Sequence, residues 1–338
     1  MHTSKAMGLL FIAGLMAFSV VPVRADAVFA STYQGVSMYD ASGNFIQNLA
    51  LPNSPSIGNG LGGFVDPTGL AIGSDGSLYV ADYQSSISSN TGAIYRFSAS
   101  GAYLGTFATG SSLNEPQGIA FGSNGDLYVT NYNANNSYIS AYDSSGNQVS
   151  VPGAGGSGGG PPSGFLGLGA PAGGIAFGPN GNLYIPDPYN GVDEYTADGT
   201  FVRSFGYADP LANPSAVAID KNGNVFVTDE GTGTVVEFDS NGNYIATLNP
   251  FNPTLGGDGW AQPTALTFGP TGNLFVGDDF GITQYDFSTV TSFSTGGLGA
   301  DFLAYDATVP EPSLVPLCAL AGLGLLLRQR ISRRRSVS

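Results

Sequence analysis

An all-β ring of six small sheets is the fold this sequence predicts, and three observations carry the prediction. First, one strand–turn–strand unit recurs in tandem: it is plainest at Pro116 to Asn131 and returns at Pro67 to Asp82, Gly174 to Asp187, Pro214 to Asp229 and Pro263 to Asp278. Second, each copy is followed by a third strand that ends in an aromatic residue, and most then pass through a four-residue turn closed by Gly into a fourth short apolar strand. Third, the two ends of the region carry complementary fragments of the same unit. Four antiparallel strands in roughly 40 to 45 residues, repeated around a circle, describe the blade of a β-propeller.

Within the unit at Pro116, Ile119 and Phe121 alternate with small residues, as a strand with one buried face requires. Ser123-Asn124-Gly125 supplies a tight turn with a glycine free to take positive φ, and Leu127-Tyr128-Val129 resumes in strong β-formers. The third strands are Val36 to Tyr39, Ile94 to Phe97, Tyr138 to Tyr142, Val192 to Tyr195, Val235 to Phe238 and Ile282 to Tyr285. Turns follow at Asp40 to Gly43, Ser98 to Gly101, Asp143 to Gly146, Thr196 to Gly199 and Asp239 to Gly242. Six third strands against five complete first and second strands leave one blade split between the ends. Val28-Phe29-Ala30 matches Leu78-Tyr79-Val80 as a second strand without a first, and Phe302 to Tyr305 matches Gly69 to Ile72 as a first strand without a second. The expectation is a six-bladed ring closed by N- and C-terminal strands sharing one blade, which leaves few open edges. Small residues such as Gly69, Ala71, Gly118, Ala120, Gly174 and Ala216 place the first strands nearest the crowded axis.

The form apolar-Ala-apolar-x-x-x-Gly-x-apolar-aromatic-Val-x-Asp, then apolar-x-x-Phe/Tyr-Asp-x-x-Gly, resembles the NHL-repeat family of β-propellers over residues 26 to 307. The Asn-His-Leu or Asn-His-Arg triplet of that family is absent here, with Gly231-Thr232-Gly233-Thr234 or longer polar inserts in its place. The resemblance implies the fold and no particular activity.

Both ends read as addresses. Lys5 precedes an apolar run from Met7 to Val23, and Val23-Arg24-Ala25 offers a cleavage site before Asp26, so residues 1–25 are expected to be a signal peptide with a helical core. Residues 308–338 contain Pro310-Glu311-Pro312, an apolar stretch from Leu314 to Leu327 expected to form an anchor helix, and an arginine-rich tail. At about 14 residues the stretch is short for a spanning helix, which needs about 20, and its basic end suits the cytoplasmic side. Together the three parts resemble the PEP-CTERM sorting signal. That resemblance implies an exosortase-type processing enzyme as partner and passage through the membrane before processing. The destination it implies is the cell envelope or exopolysaccharide matrix of a Gram-negative bacterium.

Residues 26 to 311 hold all 25 acidic residues and three basic ones, Arg96, Arg203 and Lys221. So acidic a surface repels nucleic acid and anionic lipid and can attract cations. Cys318 lies in the apolar tail and the only histidine is His2, so between the two addresses there is no disulfide, no Ser-His-Asp or Cys-His nucleophile and no histidine-ligated zinc. The glycine-rich run from Pro152 to Pro162 lacks the lysine and following helix of a phosphate-binding loop and reads as a flexible connection.

Candidate binding residues gather where second strands end. Asp82, Asn131, Asp187, Asp229 and Asp278 occupy that position in turn. As hard oxygen donors they could bind Ca²⁺, as in some six-bladed lactonases; the simpler expectation is that each accepts hydrogen bonds from the loop that follows it. Asp220 to Asn224 and Asp239 to Asn243 look like openings of calcium loops but lack the remaining ligands, and are expected to be hairpin turns. Tyr83, Tyr132, Tyr189 and Trp260 lie in neighbouring loops, where flat rings beside carboxylates suit sugars or else cap the blade interfaces.

The sequence therefore points to a non-enzymatic binding or scaffold module, with extracellular polysaccharide or a surface protein as partner. The alternative is a Ca²⁺-dependent hydrolase or lactonase drawing on Glu115, Glu194, Glu230 or Glu237. An axial channel walled by Ala, Gly and apolar residues suits the first; three or four unlike oxygen side chains at one end of it suit the second.

Overall fold

A computed structural model describes residues 26–52, 63–83, 91–132, 137–151, 173–207, 210–249, 251–252, 257–258, 262–294 and 299–306. The two terminal addresses, with Pro310, Glu311 and Pro312, and the glycine-rich run and Trp260, lie outside these residues. Among the described residues no helix is long and apolar enough to cross a membrane.

Alternation of apolar and small residues produces six four-stranded antiparallel sheets, the expected number. Blade 1 is split as the sequence implies: Phe302–Asp306 is its innermost strand, followed outward by Ala27–Thr32, Gly35–Asp40 and Phe45–Asn48. Val28 pairs with Tyr305 and Ala30 with Leu303, in the register read from the repeat. Blade 2 runs Pro67–Ile72, Leu78–Asp82, Thr91–Phe97 and Tyr103–Asn114; blade 3 runs Pro116–Phe121, Leu127–Asn131, Tyr138–Tyr142 and Gln148–Val149. Blade 4 begins with the short Ala176–Phe177 and continues through Leu183–Asp187, Gly191–Tyr195 and Phe201–Gly206. Blade 5 comprises Pro214–Ile219, Val225–Asp229, Thr234–Phe238 and Tyr244–Leu248, and blade 6 Ala265–Phe268, Leu274–Asp278, Gly281–Tyr285 and Val290–Ser294. A separate two-stranded ribbon, Phe251–Asn252 with Gly257–Asp258, lies between blades 5 and 6 in the chain.

The first strands follow one another around the axis and close from blade 6 through blade 1 to blade 2. They stand so near that a Cβ on Gly69 would lie 2.4 Å from the Gln117 carbonyl oxygen, and one on Gly118 2.2 Å from that of Gly173. Glycine is needed there for room, as the small-residue pattern implied. Each gap between blades holds its own core: Phe29, Met38, Phe64, Leu70, Val80 and Phe97 fill the gap between blades 1 and 2, and Val28, Ala265, Phe275, Ile282 and Leu303 that between blades 6 and 1.

One aromatic pair recurs across these gaps, second strand of one blade against first strand of the next. Tyr79 meets Phe121 edge-on at 4.9 Å, Tyr128 meets Phe177 at 4.9 Å, Phe226 meets Phe268 at 5.1 Å, and Phe275 meets Tyr305 in a tilted pair at 5.1 Å. The last joins blade 6 to the C-terminal strand of blade 1. Where the third-to-fourth-strand turn of blade 6 lacks the usual glycine, Phe287 takes φ of 65° instead.

Tight turns between first and second and between third and fourth strands share one rim, the turn face. Connections from second to third strand, and from one blade to the next, form the opposite loop face.

Two expectations follow. Phe29→Ala should cost about 3–5 kcal/mol in denaturant unfolding, because Phe29 is fully buried, whereas Phe45→Ala on the outer rim should cost less than about 1 kcal/mol. Removing residues 302–306 should expose the edge of Ala27–Thr32 and abolish a single cooperative transition while promoting association.

Candidate functional site

The loop face is positioned by main-chain hydrogen bonds that tie each second-strand exit to the entry of its own first strand. Tyr83 N–H donates to the Asp66 carbonyl at 2.9 Å, Tyr132 N–H to that of Glu115 at 3.1 Å, and Glu230 N–H to that of Asn213 at 3.0 Å. The residues at the second-strand ends reinforce this. The Asp82 carboxylate accepts from the amides of Val65 and Asp66 and the Asp229 carboxylate from Ala212 and Asn213, on the segments that enter their blades, while Asn131 Oδ1 accepts from Asn114, the last residue of blade 2. Asp187 and Asp278 accept from the loop that follows, through Tyr189 and Asn190 and through Phe280 and Gly281, and Asp229 adds Gly231 to its entry-side bonds. The expectation of a following-loop turn in every blade is corrected accordingly. In blades 2 and 5 the bond stitches two loops of one blade together, and in blade 3 it ties the second strand to the end of blade 2.

These five side chains are buried. Among the described residues no group of three Asp, Glu, His or Cys side chains is placed to hold a metal ion. Asp220 and Asp239 each accept two amides of their own tight turn, at 2.8 Å, as hairpin turns do.

What does converge is a different set. On the axis at the loop face an open cavity of ≈ 460 Å³ is bounded by Thr68, Gln117, Gly173, Ser215, Thr264 and Asp301. These are one residue per blade, lying two positions before Leu70, Ile119, Ile175, Val217, Leu266 and Leu303 in turn. Asp66, Tyr83 and Glu230 complete the polar wall. The other end of the axis holds ≈ 380 Å³ lined by Leu70, Ile119, Ile175, Val217, Leu266 and Leu303 with their small and aromatic neighbours. One end of the axis is thus apolar and the other carries unlike oxygen side chains.

Burial and crowding of like charge govern the carboxyl groups at the polar end. Burial raises Asp301 most, the charges of Asp66 and then Asp279 add to it, the Tyr33 amide offsets a little, and its pKa rises to about 6. Burial raises Asp66, and burial followed by the charges of Asp279 and Asp229 raises Glu230 against a hydrogen bond from Ser215. Among the described residues no cation relieves them: Arg96 pairs with Asp75, Arg203 with Glu194 at 2.6 Å, and Lys221 lies in the first turn of blade 5, all toward the turn face. Of the glutamates considered for hydrolysis, only Glu230 reaches the cavity. Glu115 accepts the Tyr83 hydroxyl at 2.6 Å, Glu194 is enclosed by Arg203, Asn182 and Tyr184, and Glu237 accepts from Asn224.

The aromatic candidates divide. Tyr83 and Tyr132 are half-buried, and the Tyr83 bond to Glu115 spans blades 2 and 3, so Tyr83 caps an interface. Tyr189 is 63% exposed, and the loop face adds Tyr33 at 55%, Tyr207 at 65% and Phe280 at 57%. Those three, with Asp66, Asp279 and Asp301, were not singled out in the sequence. Aligning the first strands would have found Asp301, an acid where the other blades carry Thr, Gln, Gly, Ser and Thr.

Compared with known proteins, the chain matches the NHL repeat family over residues 113–137 and 211–238. Its fold is similar to a chain of the nidogen/laminin complex, with a TM-score of 0.62 and 17% identity over 83% of this chain and 98% of that one. A protein of unknown function from Bacteroides caccae aligns with a TM-score of 0.60 and 12% identity over 83% and 99%. A catalytically inactive histidine-to-alanine form of virginiamycin B lyase from Staphylococcus aureus, solved with quinupristin, aligns with 0.51 and 16% over 84% and 93%. No curated protein sequence matches the chain. The chain carries NHL repeats on a six-bladed β-propeller, and at these identities the structural likeness shows fold alone.

Asp82→Ala should strand the Val65 and Asp66 amides and lower stability by about 1–3 kcal/mol. Asp239→Ala, in an exposed turn, should shift the midpoint of the same urea titration far less than Asp82→Ala does.

Proposed function

We propose that this chain is a non-enzymatic binding module of the bacterial cell envelope or exopolysaccharide matrix, and that it engages its partner through the loop face. The observation that supports this reading is the segregation of Tyr33, Tyr189, Tyr207 and Phe280, with the carboxyl groups of the axial mouth, on the face that lacks Lys and Arg. Exposed rings beside hydrogen-bond acceptors suit the CH faces and hydroxyls of sugars or the side chains of a protein loop. The negative mouth disfavours an acidic polysaccharide, so the partner is a neutral or amine-bearing glycan or a basic protein surface. Export and processing rest on the signal-like residues 1–25 and on the sorting-signal resemblance around Pro310-Glu311-Pro312.

A second reading, a hydrolase, is favoured by Asp66, Glu230 and Asp301 meeting at one end of the axis. It would have to work without histidine, since none occurs between residues 26 and 306; the similar lyase was solved as an inactive histidine variant.

A glycan array and a crosslinking pull-down on envelope material should capture a glycan or a surface protein. The double variant Tyr189→Ala with Phe280→Ala should weaken that capture by about tenfold or more with little change in melting temperature, while Phe45→Ala leaves it intact. Equal capture by the loop-face variant removes the proposal, and turnover of esters or lactones that Glu230→Gln abolishes establishes the second reading instead. Mass spectrometry of the exported protein should find a new N-terminus at Asp26 and a C-terminus near Pro312; an intact tail removes the sorting step.

A further inference from the structure

The innermost strands carry a repeated bond between blades. Two residues before Leu70, Val217 and Leu266, a hydroxyl of one blade donates to the main-chain carbonyl of the next: Thr68 Oγ1 to Pro116 at 2.7 Å, Ser215 Oγ to Pro263 at 3.0 Å and Thr264 Oγ1 to Ala300 at 3.0 Å. Between blades 4 and 5, where Gly173 has no side chain, the Gly174 amide reaches the Ser215 carbonyl at 3.1 Å. The same register puts Asp301 in the donor position of blade 1, with Pro67 as the corresponding carbonyl of blade 2. This is one of the two junctions through which the split blade meets the rest of the ring. A carboxylate has no proton to donate; a carboxylic acid has one.

We propose that Asp301 is a proton-operated latch on ring closure: neutral, its carboxyl donates to the Pro67 carbonyl as Thr68, Ser215 and Thr264 do at their junctions; ionised, it loses that bond and opposes the acceptor oxygen. The groups that face it act in one direction. The charges of Asp66 from blade 2 and Asp279 from blade 6 raise it, Tyr83 and Glu230 line the same cavity, and the Tyr33 amide donates to it. The midpoint near 6 sets the window. An acid whose folded pKa lies above its unfolded value, about 3.9, contributes stability that is fully present below that unfolded value and is lost as pH rises through the folded one. Blade 1 is therefore held most firmly in mildly acidic surroundings and least firmly above neutrality.

The full chain tests this in thermal melts between pH 3.5 and 8. Asp301→Asn keeps a donor without a charge and should match the parent at pH 3.5 and melt several degrees higher at pH 8, a range set by about 2–4 °C per kcal/mol for domains of this class. Asp301→Ala relieves charge without restoring the donor, so at pH 8 it should fall below Asp301→Asn. Thr264→Val removes a hydroxyl latch and should lower the melting temperature equally at both pH values. Coincidence of the Asn and Ala variants at pH 8 would reduce Asp301 to simple charge repulsion and overturn the proposal, as would a parent-to-Asn difference that does not change with pH. If a variant does not fold, the carboxyl carbon of Asp301 in the parent decides by NMR: a midpoint near 6 supports the latch, and one near 4 overturns it.

Discussion

Main-chain pairing of residues 302–306 with residues 27–31 turns a linear series of sheets into a ring, and most other features of the molecule take their geometry from that closure. Once the circle is complete, six innermost strands must share one axis, so their inward positions shrink to glycine, alanine and small polar residues. The spacing of the blades then fixes where the recurring aromatic pairs meet, including Phe275 with Tyr305 across the last gap. It also gathers one residue from each blade at the axial mouth, where no pair of them is close in sequence. Closure is modest in entropic cost. The partners lie about 280 residues apart, and each doubling of a loop adds only about 0.6 kcal/mol.

Much of this was legible in the sequence because the repeat makes every blade a witness for the others. The blade count, the register of the split blade and the small residues of the innermost strands all follow from aligning Pro67, Pro116, Pro214 and Pro263. The site was far less legible. Asp82, Asn131 and Asp229 stand out in the sequence because they recur, and they recur because each ties the end of its second strand to the main chain arriving at its blade. Recurrence marks what the fold needs in every copy. Asp301 interrupts the pattern in a strand whose unit is divided between the chain ends, and Glu230 and Asp279 share a position held by tyrosine in blades 1, 2 and 3. Their convergence depends on the circle, which no local window contains. Tyr33, Tyr207 and Phe280 were hidden for a different reason: exposure of an aromatic depends on the loops around it.

The charge pattern shows a similar division of labour. Arg96 and Arg203 each pair with an acid and lie over the rings of Tyr79 and Phe205, helping to hold the tight turns of their face. Nothing comparable neutralises the loop face. Its acids are partly sheltered from water, so burial raises Asp66, Glu230 and Asp301, and the charge of neighbouring carboxylates adds to it at Glu230 and Asp301. One rim is electrostatically settled by its own residues and the other is left with unspent negative potential.

The division of blade 1 also bears on how the molecule is made. Five of the six sheets consist of neighbours in the chain and can form as they emerge from the ribosome, but the remaining one holds Ala27–Thr32 in waiting until the final strand of the ring has been synthesised. Until then that strand has a free edge, the state in which a β-protein is most exposed to mispairing with another chain. A truncated product cannot seal itself, so the topology separates finished copies from unfinished ones.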